Sequence, residues 1–129
     1  SDTDVYPGLD DTKELQARCD VANKAGANMF VSIHCDAFSD ATVSGARVFH
    51  YPGSKTGQLT ANKVADAMKI VAGKALIFAD ASKYVLKNTA MPALLIECGF
   101  MTNAVDLALL REPSYRDKLA LGIAYGIGG

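Results

Sequence analysis

The sequence predicts a single layered α/β domain with a mostly parallel twisted sheet flanked by helices. Apolar segments of strand length alternate with segments of helical periodicity, which is typical of this class. The 129 residues are enough for one domain and too few for two ordinary ones. With 50% hydrophobic and 21% charged residues, the composition is globular rather than disordered.

Local signals predict each element in order. The first helix begins near Asp11, carries apolar residues at helical spacing and ends at Gly26, a residue that tolerates a positive φ. Strands are predicted at residues 28–34, 47–51, 84–86 and 92–97, and a long helix at residues 56–72. Residues 36–44 are predicted to form a loop, and residues 74–82 fit no element clearly.

The carboxyl-terminal third has clearer signals. Residues 92–97 are continuously apolar up to the final glutamate, as expected of a strand covered on both faces. Asn103 is a helix N-cap candidate, and Asp106 falls near the positive end of the same helix. Pro113 suits the first turn of the last helix.

The charge balance excludes some functions. Thirteen basic and fourteen acidic residues give a net charge of -1, which disfavours nucleic-acid binding. No apolar run approaches the roughly 18 residues that a membrane span needs. Residues 1–11 are polar and acidic and do not form a secretory signal, which does not argue for the cytoplasm.

The three cysteines are odd in number and widely spaced, which excludes a disulfide framework and a zinc-finger pattern. We expect Cys19, Cys35 and Cys98 to be small buried residues. A Cys35–Cys98 bridge is the alternative, and it requires an oxidising compartment.

Two ionisable residues end predicted strands, and they are the candidate site. His34 follows the apolar residues 30–33, and Glu97 follows residues 94–96. Ligands and catalytic groups gather at the carboxyl ends of parallel strands, and a carboxylate there is costly to bury without a partner. Taken separately, His34 could simply bond the next loop, and Glu97 could form a salt bridge.

The segments around these two residues resemble one family. Residues 23–38, NKAGANMFVSIHCDAF, are similar to the segment around the third zinc ligand of the zinc-dependent N-acetylmuramoyl-L-alanine amidases (amidase type 3). These are bacterial and phage enzymes that cut peptidoglycan. Residues 86–103, LKNTAMPALLIECGFMTN, resemble the segment around that family's catalytic glutamate, in the same order along the chain.

The resemblance implies a peptidoglycan hydrolase. His34 would be a zinc ligand, and Glu97 would be the general base that activates the zinc-bound water and protonates the leaving amine. The bond cleaved would join the lactyl group of N-acetylmuramic acid to L-alanine of the stem peptide. A secreted or cell-envelope location follows from this substrate, and the oligomeric state is left open.

Other polar residues have weaker cases. Asp36 could orient a neighbouring ligand or simply start a loop, and Asn88 and Thr89 could line the substrate groove. Asn103 is expected to cap a helix rather than touch substrate. His50 is expected to be structural, because the family has no ligand at that position.

The chain also departs from the family pattern. The family's first strand, its Gly-His-Gly-type loop with the first zinc histidine, and its glutamate ligand have no counterpart here. The chain therefore supplies one expected zinc ligand and the catalytic glutamate, and we expect it to be inactive and without tight zinc binding when alone. The alternative is a metal-free wall-binding or regulatory remnant. The connection at residues 74–83 is also shorter than usual for the family.

A cysteine hydrolase is disfavoured. Cys35 and Cys98 directly follow the two site residues, and consecutive strand residues point to opposite faces of a sheet. We therefore expect both thiols to face away from the cleft.

Overall fold

The computed structural model describes residues 11–128. The strands in this range are β1 (Phe30–Asp36), β2 (Ala46–His50), β3 (Ala75–Ala79) and β4 (Ala93–Phe100). The helices are α1 (Asp11–Ala25), α2 (Lys55–Ala72), α3 (Tyr84–Lys87), α4 (Ala104–Leu110) and α5 (Pro113–Gly128). None of the described helices is long and apolar enough to cross a bilayer. The similarity predicted for residues 1–10 lies outside the described range.

The four strands form one open sheet in the order β1-β4-β2-β3. β1 pairs with β4 in parallel and β2 pairs with β3 in parallel, whereas β2 and β4 are antiparallel. The predicted α/β class and mostly parallel sheet are confirmed. The central antiparallel pairing makes the sheet mixed, which the sequence analysis did not predict.

One face of the sheet packs against α2 and α5 and forms the main core. Alternate residues of β2 and β4 point into it, as the two-residue period of a strand requires. The buried residues of this core are Ala46, Val48, Ala61, Val64, Ala65, Met68, Leu94, Ile96, Leu119 and Ile123.

The opposite face carries a smaller apolar cluster beneath α3, which also packs against α1. Phe49, Leu86 and Ala93 are its buried members, and Phe30 and Leu95 pack against them. The strand residues that alternate with those of the main core therefore point to this opposite face. His34 and Glu97 continue the same alternation at the ends of β1 and β4, and this is the face on which the candidate site lies.

Helix ends follow the expected chemistry. The Asn103 side chain accepts hydrogen bonds from the backbone N–H groups of Val105 (3.1 Å) and Asp106 (3.0 Å), which confirms the predicted N-cap. Ser54 caps α2 through Gly57 N–H at 3.1 Å. Gly73 ends α2 with φ of 79°, a conformation that favours glycine.

Two predictions in the middle of the chain need correction. Residues 84–86 form the start of helix α3 rather than a strand, because Lys83 C=O accepts hydrogen bonds from Leu86 and Lys87 N–H at 3.1 Å each. Three residues are too few to distinguish a period of two from one of 3.6. The unassigned residues 74–82 contain β3 at the edge of the sheet.

The cysteines only partly match the expectation of burial. Cys19 is fully buried on α1, and Cys98 is partly buried. Cys35 is exposed, so its predicted burial is wrong; β1 is an edge strand of the described sheet, which leaves its outer side uncovered. None of the three forms a disulfide bond in the described structure.

The contact between α2 and α5 depends on a missing side chain. A Cβ added at Gly126 would lie 2.6 Å from Val64 Cα, whereas one at Gly122 would meet Ala67 at an ordinary 3.5 Å. We expect Gly126→Ala to lower the free energy of unfolding by about 1–3 kcal/mol through overpacking. Urea denaturation measures this.

Gly122→Ala is the matched control on the same helix. Alanine is the better helix former, so this change should leave stability unchanged or raise it by up to about 1 kcal/mol. Equal effects at the two positions would contradict the close packing of α2 on α5.

Candidate functional site

Strand pairing places Glu97 between two site residues. Glu97 on β4 is the register partner of His34 on β1 and of Arg47 on β2. Register partners on adjacent strands project from the same face of a sheet. The imidazole, the carboxylate and the guanidinium group therefore share the face that carries α3.

His34 is held by a residue of its own strand. Ser32 lies two positions earlier on the same face, and its hydroxyl oxygen is 2.5 Å from His34 Nε2. This hydrogen bond orients the imidazole ring at the end of β1. After His34 the register with β4 shifts, and Met101 N–H donates to Asp36 C=O at 2.7 Å, so the two strand ends remain tied together.

Glu97 is a buried carboxyl group at 5% exposure. Burial raises its pKa to about 7, reinforced by hydrogen bonding and charge repulsion from the Asp36 carboxyl group. The positive charges of Lys83 and Arg47 partly oppose this rise in pKa. Glu97 Oε2 has no hydrogen-bond partner in the described structure, so this oxygen is available to a bound molecule.

The two cations near Glu97 rest against aromatic rings. The Arg47 guanidinium carbon lies 4.8 Å from the Phe100 ring centroid and 5.5 Å from that of Phe78. Lys83 Nζ lies 4.6 Å from the centroid of Phe49. Such contacts position a cation without neutralising it, so both groups keep a full positive charge next to the site.

A cavity of about 440 Å³ lies over this face, and we call it the Glu97 cavity. Its volume is within the range of small-molecule sites. It is bordered by Leu15, His34, Cys35, Asp36, Ser82, Lys83, Tyr84, Val85, Leu95 and Glu97. Strands β1 and β4 thus supply the acid–base groups of the cavity, and the start of α3 supplies the opposite wall.

The two thiols differ in their surroundings. Cys98 packs against the main core and borders a second cavity together with Leu119 and Ile123 of α5. Cys35 lies on the edge strand and borders both cavities. Of the two thiols, only that of Cys98 therefore lies wholly away from the Glu97 cavity, as expected. Burial raises the pKa of the Cys98 thiol to about 12, which makes it a poor nucleophile.

The remaining candidates have structural contacts. Asn88 and Thr89 donate side-chain hydrogen bonds to the carbonyl groups of Tyr84 (2.9 Å) and Val85 (2.8 Å) at the end of α3. Neither borders the Glu97 cavity. His50 is buried, its Nδ1 lies 3.1 Å from the Tyr51 carbonyl oxygen, and it stands outside the same cavity.

Sequence reasoning missed Arg47 and Lys83. Arg47 interrupts the apolar strand Ala46–His50, and a charged residue within such a strand was a signal that could have been used. Lys83 carried no comparable signal, because its position depends on the fold of residues 80–87.

The donor types at this face fit part of a metal site. His34 offers an imidazole, and the buried Glu97 oxygen without a hydrogen bond lies next to it in register. An imidazole suits zinc as a ligand, and a carboxyl group beside it suits proton transfer. Within residues 11–128, however, no three His, Cys, Asp or Glu side chains come together as a metal-binding group. The described residues thus fit one portion of a coordination shell.

Comparison with known proteins agrees with the resemblance found in the sequence. Residues 2–128 match the family model described as N-acetylmuramoyl-L-alanine amidase. The germination-specific N-acetylmuramoyl-L-alanine amidase of Bacillus subtilis is 31% identical over 98% of this chain and 57% of its own length. An endolysin of Bacillus phage SPP1 is 33% identical over 98% of this chain and 46% of its own. The chain thus spans about half the length of these relatives.

Solved structures share the fold. The CwlD amidase of Clostridioides difficile, in complex with the GerS lipoprotein, matches with a TM-score of 0.80 at 30% identity. That match covers 90% of this chain and 60% of the other. The catalytic domain of the CwlV amidase of Bacillus (Paenibacillus) polymyxa gives 0.78 at 28% identity, covering 88% and 63%. The mixed sheet described above is therefore an amidase-type fold.

The raised pKa of Glu97 predicts a pH-dependent stability cost. The unfolded chain ionises near the ordinary value of 4.5, whereas the folded chain ionises near 7. The contribution of Glu97 to the free energy of unfolding is therefore fully present below pH 4.5. It is lost as the pH rises to 7, because the unfolded chain releases this proton more readily than the folded chain. In the presence of a chelator, Glu97→Gln should become increasingly more stable than the parent protein over that window.

Urea unfolding at several pH values between 4 and 8 measures the difference. Glu112→Gln is the matched control at an exposed glutamate on the surface. A difference between Glu97→Gln and the parent that stays constant with pH would contradict the raised pKa.

Proposed function

This chain belongs to the N-acetylmuramoyl-L-alanine amidase family, and on that premise we propose that residues 1–129 form part of the catalytic domain of a zinc-dependent peptidoglycan hydrolase. The bond cleaved is the amide between the lactyl group of N-acetylmuramic acid and L-alanine of the stem peptide. The observation that carries the proposal is the pairing of His34 with a buried Glu97 at the carboxyl ends of β1 and β4. The substrate requires a secreted or cell-envelope location.

Glu97 is the proposed general base and acid. A carboxyl group with a pKa of about 7 can both accept and return a proton near neutral pH. Its unpartnered oxygen Oε2 takes a proton from the attacking water, and the carboxyl group then gives that proton to the leaving amine of L-alanine. Burial of the group excludes bulk water that would otherwise compete for this proton.

His34 is the proposed metal ligand. A zinc ion held there supplies Lewis acidity for the scissile carbonyl group. The hydrogen bond between Ser32 and His34 Nε2 fixes the ring, as partners of metal-binding histidines commonly do. Further ligands are required beyond those that the described residues bring together.

A second candidate is a metal-free protein that binds the cell wall without hydrolysing it. The absence of a three-residue metal group within the described part of the chain favours this alternative. It predicts retention on purified peptidoglycan, without release of peptide amines and without micromolar zinc affinity. The hydrolase predicts amine release in the presence of zinc.

Replacement of the proposed base separates catalysis from metal binding. In the intact protein, which supplies the further zinc ligands, Glu97→Gln should lower amide hydrolysis by at least about 100-fold, because general acid–base catalysis contributes on that order or more. Zinc content should stay nearly unchanged. Amine release from peptidoglycan and metal analysis measure the two quantities, with Glu112→Gln as the control. Loss of zinc together with activity would instead make Glu97 a ligand.

Replacement of the proposed ligand His34 should remove both zinc binding and hydrolysis. In the intact protein, His34→Ala should lose zinc and hydrolysis together, since a catalytic zinc site has few protein ligands to spare. His50→Gln is the control, because His50 lies outside the Glu97 cavity, and this variant should keep its zinc. Equilibrium dialysis against zinc gives the stoichiometry. Full zinc occupancy in His34→Ala would refute the assignment.

A further inference from the structure

Lys83 is the one cationic residue among the described residues that border the Glu97 cavity. It lies on the wall formed by the start of α3, across from the strand ends that carry His34 and Glu97. Its side chain is partly buried rather than fully solvated. The cavity therefore has an acid–base side and a positively charged side.

The ammonium group of Lys83 is held in place but not neutralised. It lies 4.6 Å from the centroid of the Phe49 ring, and Phe49 is itself only 7% exposed and stacked on Phe78 at 5.3 Å. Asp80 and Glu97 are near enough to interact with its charge. No described carboxylate, however, forms an ion pair with it; the ion pair found in the described residues joins Arg18 and Glu14.

An ammonium group that rests on an aromatic ring at a cavity wall, with no ion pair among the described residues, is suited to binding an anion. The ring contact restricts the lysine side chain before any ligand arrives, so less conformational entropy is lost on binding. The cavity volume of about 440 Å³ leaves room for a short peptide between Lys83 and Glu97.

We infer that Lys83 is a specificity residue that binds a carboxylate of the stem peptide. The inference rests on the proposed function, because the ligand is the peptide half of the proposed substrate. Lys83 would hold that half of the substrate through a charge-assisted hydrogen bond while the amide lies at Glu97. A substrate whose peptide carboxylates are amidated would lose this interaction.

The test compares two ligands that differ only in these carboxylates. They are N-acetylmuramoyl-L-alanyl-D-glutamic acid and its diamide, titrated calorimetrically into the intact Glu97→Gln protein loaded with zinc. This background prevents turnover and removes the charge of Glu97, so any remaining effect of Lys83 cannot act through Glu97. The acid should bind roughly 5- to 20-fold more tightly than the diamide, as expected for a partly solvated charged hydrogen bond.

Variants of Lys83 then locate the preference. Adding Lys83→Gln should reduce the ratio of the affinities for the acid and the diamide to about 1, because only binding of the acid is weakened. Lys83→Arg should retain most of this preference. Lys87→Gln, an exposed lysine at the end of the same short helix, should leave the ratio unchanged. Thermal unfolding checks that each variant is folded.

The outcomes are distinct from those that test the reaction itself. Equal affinity of the acid and the diamide in the Lys83 protein overturns the inference without any variant. The inference is also overturned if the Lys83→Gln protein still prefers the acid over the diamide, or if it loses affinity for both ligands equally. Failure of hydrolysis in the parent protein, with the carboxylate preference intact, would instead remove the proposed reaction and leave the binding role of Lys83 standing.

Discussion

The register between β1 and β4 is the constraint on which the site depends. Pairing of His34 with Glu97 puts an imidazole and a carboxylate side by side on one face, and a slip of one residue would turn Glu97 toward the core under α5. The apolar residues of β4 fix this register from both sides. Leu94 and Ile96 fill the main core, while Leu95 packs in the cluster under α3. The same packing that stabilises the sheet therefore also aligns the site.

Glu97 is buried without a direct ion pair to any other described residue, and this gives the site its acid–base character. A close salt bridge would satisfy the carboxylate, lower its pKa and occupy the oxygen that is otherwise free. Here the nearby cations are instead held against aromatic rings, with Arg47 beside Phe78 and Phe100. Their charges limit the rise in the pKa of Glu97 but leave Oε2 without a hydrogen-bond partner among the described residues. The carboxyl group consequently ionises near neutral pH.

Local sequence signals predicted the elements that depend on local chemistry. The cap at Asn103, the long helix α2 and the buried strand before Glu97 were all predicted, because each follows from the residues themselves. Strand order was not readable, since alternation of apolar residues does not specify which strands pair. The sequence analysis also missed the position of Lys83 at the site, and it wrongly expected Cys35 to be buried. Both depend on where an element lies in the sheet rather than on its own sequence.

The positions of the two site residues in the sheet suit different roles. Glu97 lies on a strand with neighbours on both sides, so its carboxyl group is buried between the strands that carry Arg47 and His34 in register. His34 lies on β1, which is an edge strand of the described sheet, and it borders cavities on both faces. A proton carrier benefits from the enclosed position, where a low dielectric raises its pKa. The proposed role of His34 as a metal ligand suits the open position, because further donors can approach across the edge of β1 that is unpaired in the described sheet.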